Sequence, residues 1–241
     1  MTSFIPNTSC STVIPLLDQF RSSCTVILAS GSPRRKELLS AMGLSEFAVR
    51  VSGFAEDLDK STFLNASDYC LHTAGKKGEN VAQQINEDIN DDYKDEICII
   101  SADTIIEYNG EALEKPNNRE EAIMMLSKLS GNLHLVHTGV CIISGVKDLS
   151  ADRCKQNSRR YIYNASKTFL TTTRVQFISL SEKDITSYVD TGESYDKAGG
   201  YGIQGLGGML VDRLEGCYFN VMGLPISALS RELAAMTLTS R

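Results

Sequence analysis

The segment Ser30–Arg35 combines residue types that can bind phosphate. It follows the run Thr25–Ala29, which is apolar, β-branched and short enough to be a buried strand. Ser32 suits the cap of a helix whose first turn contains Arg34 and Arg35. A helix N-terminus offers unpaired amides, and guanidinium groups offer forked donors that match phosphate oxygens. The segment therefore predicts a phosphate site, although the same residues would also suit a solvated start of an ordinary surface helix.

Two acidic positions could bind a metal or activate water. Asp103 comes directly after the apolar run Ile97–Ala102. The end of a buried strand is the usual ligand position in α/β folds, and a carboxylate there can bind a divalent cation or accept a proton. Glu56 lies in the acidic loop Glu56–Asp59. Asp103 could instead cap a turn, and Glu56 could be one of many solvated loop carboxylates.

Two lysines and a glycine-rich segment could complete a nucleotide site. Lys77 and Lys115 are candidate phosphate cations, and Pro116 favours an extended backbone at Lys115 that can direct its ammonium into a cleft. The segment Gly199–Gly208 contains six glycines, which permit close approach of backbone to a ligand. Gln204 within it can pair with a base edge. A solvated lysine and a loop without a ligand are the ordinary alternatives.

Strand and helix signals alternate along the chain, without a repeat or a proline-rich linker. This order predicts a mixed α/β fold around one central sheet. Further strands are predicted at Phe47–Val51, Ile97–Tyr108, His134–Ile143, Thr168–Ile178 and Met209–Leu214, and helices at Arg34–Met42, Ala66–Gln84, Asn118–Leu129, Ser181–Val189 and Pro225–Met236. The polar segments Asn86–Glu96 and Lys147–Lys167 are predicted to be loops or insertions.

The composition is that of an ordinary soluble globular protein. The 241 residues are 42% hydrophobic and 22% charged, which excludes a disordered or low-complexity chain. The net charge of −6 argues against a nucleic acid or a membrane surface as partner, because no basic field would attract a polyanion. Seven widely spaced cysteines predict reduced thiols and a cytoplasmic location. No signal peptide or membrane helix is predicted.

Several motifs, in this order along the chain, resemble the Maf family of nucleotide pyrophosphatases. They are Leu28–Leu39, Ser101–Thr104, Leu113–Pro116, Leu129–Gly131 with Thr138–Gly139, and Asp196–Gly205 with Gly223–Pro225. Their order and spacing hold from about Val26 to Leu229. The resemblance implies a Maf/Ham1 fold, similar to that of inosine triphosphate pyrophosphatase, with an elongated mixed sheet, flanking helices and two lobes around a central cleft. It also implies one domain over residues 25–241, after an N-terminal extension at residues 1–24.

The resemblance further implies hydrolysis of a nucleoside triphosphate to the monophosphate and pyrophosphate with Mg²⁺ or Mn²⁺. Asp103 matches the proton acceptor of the family, and Glu56 with Asp103 would bind the metal. The active-site lysines match Lys115 and either Lys77, the preferred alignment, or Lys76. Either Asp103 or hydroxide held by the metal would activate water, while the phosphates would be held by Ser30, Ser32, Arg34, Arg35, Lys77 and Lys115.

Three positions indicate the branch of the family that acts on dTTP and UTP. They are Arg34 after Ser-Pro, Thr104 after the acidic residue, and Gln204 in Gly-Ile-Gln. The alternatives are the sister branch that prefers 7-methyl-GTP, and a nucleotide-binding regulator of cell division with little catalysis. The family also makes a homodimer an expected assembly.

Overall fold

A mixed seven-stranded sheet organises the described part of the chain. The computed structural model describes residues 20, 22–44, 46–56, 58–88, 93–148 and 161–239. The strands are β1 (Cys24–Leu28), β2 (Phe47–Val49), β3 (Glu96–Tyr108), β4 (Glu111–Leu113), β5 (Leu133–Lys147), β6 (Tyr161–Phe177) and β7 (Val211–Glu215). Their order is β2-β1-β3-β5-β6-β7, and β4 pairs with the second half of β3. Strand β1 is parallel to β2 and β3, whereas the other pairs are antiparallel.

The helices lie between these strands, as the alternation of signals predicts. They are α1 (Pro33–Ala41), α2 (Ala66–Glu87), α3 (Arg119–Leu129), α4 (Glu182–Val189), α5 (Tyr218–Met222) and α6 (Ile226–Thr239). The predicted caps Ser32 and Ser181 accept hydrogen bonds from backbone amides three residues further on. The short helix α5 was not predicted, because a single turn has no periodic signal. No helix of the described residues is both long and apolar enough to cross a membrane.

Three hydrophobic clusters pack against the sheet. Two of them cover opposite faces of β1, β3 and β5, and the third lies at the distal half of β3 and at β6. Leu38 of α1 and Leu229 of α6 pack on one face of β1, β3 and β5. Val81 and Ile85 of α2 pack on alternate residues of the same strands, hence on the opposite face. A third cluster joins α3 and α4 to the distal half of β3 and to β6. The long strand β3 connects these regions, and its middle residues lie between them.

The prediction of a loop over Lys147–Lys167 is wrong where the structure describes this segment. Strand β5 extends to Lys147, and β6 begins at Tyr161 and pairs with it through Lys167. Residues 164–168 are exposed, so their polarity reflects an exposed strand rather than a loop. Helix α2 similarly continues to Glu87, within the predicted Asn86–Glu96 loop. Residues 89–92, 149–160 and most of the predicted N-terminal extension lie outside the described residues.

Helix α2 approaches β5 closely at Gly139. A Cβ atom at this glycine would lie 2.8 Å from the carbonyl oxygen of Cys70 and 2.8 Å from Cα of Leu71. Real Cβ atoms do not come this near to backbone, so a side chain at Gly139 would push the helix away from the sheet. Helix α2 carries Lys77, so this contact helps to set how closely Lys77 approaches the sheet.

We expect Gly139→Ala to lower the free energy of unfolding by about 2 kcal/mol, because the added methyl group overpacks a rigid contact. Gly75→Ala is the matched control, since its Cβ would have nothing within 4 Å. That variant should be as stable as the wild type or more stable by up to about 1 kcal/mol, because alanine favours a helix over glycine. Urea unfolding followed by circular dichroism measures both. Equal stability of the two variants would contradict the proposed contact.

Candidate active site

A cavity of about 600 Å³ opens where β1 ends and β3 continues beyond it. The carboxyl end of a parallel strand is the expected ligand position in such a sheet. All ten residues predicted from the sequence to form the site line this cavity. They are Ser30, Ser32, Arg34, Arg35, Glu56, Lys77, Asp103, Thr104, Lys115 and Gln204. The structure thus brings together residues that are up to 174 positions apart in the sequence, from Ser30 to Gln204.

Lys77 joins the two predicted acidic residues. Its Nζ lies 2.8 Å from Oδ1 of Asp103 and 3.0 Å from Oε2 of Glu56. The side chains of Lys77 and Asp103 are only 11% and 12% exposed, whereas that of Glu56 is 50% exposed. One ammonium therefore fixes a buried carboxylate and a more accessible one at the same point of the cavity.

The phase of helix α2 distinguishes Lys77 from its neighbour Lys76. The buried residues of α2 recur at helical spacing and include Thr73, Lys77 and Val81. Lys76 instead faces outward, does not line the cavity, and pairs with Glu79 at 2.8 Å. The sequence left Lys76 and Lys77 as alternatives, and in the structure it is Lys77 that lies beside Asp103. The helical spacing of apolar residues was the signal that could have made this choice.

The loop that carries Glu56 is tied to helix α2 and adopts a costly conformation at Glu56. Oδ1 of Asn80 on α2 accepts hydrogen bonds from Ser52 Oγ at 3.1 Å and from the Gly53 amide at 2.8 Å. Glu56 has φ of 54°, in the left-handed region that non-glycine residues rarely occupy. Such a conformation costs on the order of 1–3 kcal/mol and is concentrated at functional sites. The residue in this conformation is the one whose carboxylate contacts Lys77.

The donor set around Lys77 suits a small divalent cation. Mg²⁺ binds through one or two carboxylates and takes its other ligands from water and substrate phosphates. Glu56 and Asp103 supply two such carboxylates around one ammonium. Among the described residues no group of three or more His, Cys, Asp or Glu side chains could hold a metal by itself. The two residues therefore fit a cation that shares its coordination with a substrate.

Arg35 is held at the cavity by three separate acceptors. Its Nε donates to the carbonyl of Gly223 at 2.9 Å, Nη1 to Ser30 Oγ at 3.2 Å, and Nη2 to Thr104 Oγ1 at 3.1 Å. Burial lowers the pKa of the guanidinium below its ordinary value, and the negative charge of Asp103 opposes this shift. A guanidinium has five N–H groups, so one on each terminal nitrogen has no partner among the described residues and is available for a phosphate.

Arg34 points to the opposite wall of the cavity and pairs with Asp196. Its Nη1 lies 2.7 Å from Asp196 Oδ2, and its Nη2 donates to the Asp196 carbonyl at 3.0 Å. Lys197 also contacts the Asp196 carboxylate. Partial burial raises the pKa of Asp196, but the hydrogen bonds from Lys197 and Arg34 outweigh it, and the net pKa is below the ordinary value. Asp196 is thus an ionised link between two cations of the cavity.

The glycine-rich segment folds around the carboxylate of Glu193. Oε2 accepts from the amide of Leu206 at 3.0 Å, and Oε1 accepts from Gly207 at 3.1 Å and from the Tyr188 hydroxyl at 2.9 Å. Burial raises the pKa of Glu193, yet these donors lower it more, so the pKa lies below its ordinary value. Gln204 lies two residues before the anchored Leu206, is exposed, and lines the cavity.

The structure adds residues that the sequence did not single out. Asp196 and Lys197 line the cavity. They belong to the motif Asp196–Gly205, of which only the glycines and Gln204 were predicted to contact a ligand. Glu114, next to Lys115, also lines it and pairs with Lys60 at 2.7 Å. Lys115 itself is exposed on the cavity wall. Charged residues within a recognised motif were the signal for the first two.

One end of the cavity is apolar. Ile106 of β3, Val136 of β5 and Val221 of α5 line it together with Tyr201. The hydroxyl of Tyr201 contacts Nε2 of the buried His134 at 2.9 Å. Burial lowers the pKa of His134 to about 4, so this histidine is neutral at pH 7. Ile106, Val136, Val221 and Tyr201 belong to one hydrophobic cluster, so this part of the cavity would fit a planar or apolar group.

Comparison with known proteins shows which proteins this chain is similar to. The family described as "Maf-like protein" matches residues 25–236. A protein of Clostridium perfringens named "dTTP/UTP pyrophosphatase" is 39% identical over 217 residues, which cover 89% of this chain and 98% of the relative. A protein of the same name from Carboxydothermus hydrogenoformans is 40% identical, covering 86% of this chain and 96% of the relative.

A human relative is longer than this chain. It is named "Probable bifunctional dTTP/UTP pyrophosphatase/methyltransferase protein" and is 41% identical over 211 residues. The match covers 88% of this chain but 32% of the human protein. Since the family match spans most of the described sheet and the whole cavity, the chain belongs to the Maf family.

Proposed function

We propose that this protein hydrolyses dTTP and UTP to the nucleoside monophosphate and pyrophosphate, as a nucleoside triphosphate diphosphatase. The observation that carries the proposal is the contact of Lys77 with both Asp103 and Glu56, in a cavity that also holds Arg34 and Arg35. The names of the relatives from Clostridium perfringens and Carboxydothermus hydrogenoformans support the substrate class. A cytoplasmic location and a homodimer stay predictions from the sequence.

The charges of the cavity orient the substrate. The triphosphate lies along Ser30, Ser32 and the two arginines at the start of α1, with Lys77 and Lys115 as further cations. The base then points to the apolar end and to Gln204, whose amide can both donate to and accept from a pyrimidine edge. This orientation places the α-phosphorus nearest to Asp103.

Asp103 is the proposed proton acceptor for the attacking water. Lys77 contacts Oδ1, and within the described part of the chain Oδ2 has no protein partner, so that oxygen can accept the proton. Lys77 keeps the carboxylate in place, and the arginines stabilise the negative charge that grows on the departing pyrophosphate. Glu56 and Asp103 would hold Mg²⁺ or Mn²⁺, which when bound would neutralise phosphate charge and draw electrons from phosphorus.

We expect Asp103→Asn to lower kcat for dTTP by about 10²–10⁴-fold, because general-base action is typically worth that much. The asparagine preserves the shape of the side chain, and Lys77 keeps its contact with Glu56, so the variant should fold. Asp190→Asn is the matched control. Asp190 pairs with Arg119 and does not line the cavity, so its change should leave kcat unaltered. Release of pyrophosphate measures both, and near-normal turnover of Asp103→Asn would refute the assignment.

We expect a higher kcat/KM for dTTP and UTP than for 7-methyl-GTP in a panel of triphosphates with Mg²⁺ or Mn²⁺. Gln204→Ala should reduce this preference, because the side chain that pairs with the base is lost, while removal of the cation with EDTA should abolish turnover of every substrate. Preference for 7-methyl-GTP would assign the protein to the sister branch. Absence of pyrophosphate release from all substrates would favour a nucleotide-binding regulator instead.

A further inference from the structure

A closed ring of hydrogen bonds passes from Arg35 through two threonines to helix α5 and back. Thr104 on β3 and Thr138 on β5 are direct partners across the sheet, and their hydroxyl oxygens are 3.0 Å apart. Thr138 donates to the carbonyl of Asn220 at 3.0 Å. The amide of Gly223 donates to the same carbonyl at 2.9 Å, and the carbonyl of Gly223 accepts from Arg35 Nε.

The direction of each bond in the ring follows from the chemistry of its groups. A carbonyl oxygen can only accept, so the single hydroxyl proton of Thr138 goes to Asn220. Thr138 therefore accepts the proton of Thr104, and Thr104 accepts an N–H of Arg35. The protons consequently all point away from the guanidinium, and a positive charge at the start of such a chain strengthens each bond.

This direction changes the expected role of Thr104. Thr104 is one of the three positions that indicate the dTTP/UTP branch, which makes it a candidate for contact with the pyrimidine base. In the structure its only hydroxyl proton is already given to Thr138, so the hydroxyl cannot donate to a base carbonyl while the ring is intact. Its contact with Arg35 makes it part of the support of the guanidinium.

We propose that Thr138 is a positioning residue for Arg35, acting through Thr104. Thr138 is fully buried and does not line the cavity, whereas its partner Thr104 does. Its hydroxyl fixes the rotamer of Thr104. Thr104, Ser30 and Gly223 together then hold the guanidinium of Arg35 in one orientation. The two N–H groups that are not engaged then face the phosphates. The inference rests on the proposed function, in that Arg35 binds the phosphates of the substrate.

The principal variant is Thr138→Val, which keeps the shape of the side chain and removes the hydroxyl. It should lower kcat/KM for dTTP on the order of tenfold, the effect of weakening one hydrogen bond to a charged group. Thr138→Ser restores the hydroxyl and should recover most of this loss. Both effects should be the same for dTTP, UTP and CTP, because the ring does not read the base.

Thr173→Val is the matched control for general loosening of α5. Thr173 is also a fully buried strand threonine, and its hydroxyl bonds the backbone of Cys217 and accepts from Asn220 Nδ2. The substitution therefore disturbs the same helix without removing a member of the ring. Melting temperatures of the two valine variants show whether they are folded and equally stable.

A double-mutant cycle with Arg35→Lys separates positioning from stability. Lysine keeps the positive charge but cannot make the three bonds of the guanidinium. In that background Thr138→Val should have little further effect, whereas any effect of Thr173→Val should be unchanged, because only Thr138 acts through Arg35. Equal loss in both backgrounds, wild-type activity of Thr138→Val, or failure of Thr138→Ser to recover activity would overturn the inference.

The affinity for inorganic pyrophosphate, measured by calorimetry, tests the role of Thr138 independently of the proposed hydrolysis. If the wild type did not hydrolyse dTTP, the proposed reaction would fail, but weaker pyrophosphate binding by Thr138→Val with rescue by Thr138→Ser would still support the role of Thr138. Unchanged pyrophosphate affinity in Thr138→Val would count against it.

Discussion

The contact of the Lys77 ammonium with the Asp103 carboxylate is the interaction on which the site depends. Both side chains are almost fully buried, and an ion pair in such a place is retained only when each charge is compensated. Removing one partner of a buried pair typically costs about 3–5 kcal/mol, because the other charge is left alone. Here Glu56 gives Lys77 a second carboxylate, so the three groups together stay balanced. The pair thus ties helix α2 to the middle of β3 at the point where chemistry is proposed.

Backbone packing sets the geometry of this ion pair. Gly139 lets α2 approach β5, and a Cβ at Gly78, next to Lys77, would lie 2.8 Å from Ser101 Oγ on β3. Small residues on both sides of the contact thus bring the lysine to its carboxylate. On the other wall, Arg34 and Arg35 are likewise held by acceptors at Asp196 and Gly223 rather than left to solvent. Preorganised charges of this kind are worth most in catalysis, since they need no rearrangement as the reaction proceeds.

Much of this arrangement could be predicted from the sequence, for identifiable reasons. Strong apolar periodicity and side-chain caps predicted the long helices and the central strands. The cavity residues were found because they lie at ends of predicted elements, as Asp103 does, or in motifs shared with a family. The strand at Tyr161–Lys167 was missed because Asn164, Ser166 and Lys167 are exposed and polar, as in a loop. The hydrogen bonds of Thr138 could not be predicted, because they depend on the register between β3 and β5, which no local pattern specifies.

The central claim is that water, positioned by Asp103, attacks the α-phosphorus of the triphosphate. Hydrolysis of dTTP in ¹⁸O-labelled water, with both products analysed by mass spectrometry, tests this most directly. Attack at the α-phosphorus breaks its bond to the bridging oxygen that leaves with pyrophosphate. We predict that one ¹⁸O atom appears in the thymidine monophosphate and none in the pyrophosphate. Label in the pyrophosphate, or release of labelled orthophosphate with thymidine diphosphate, would contradict the account.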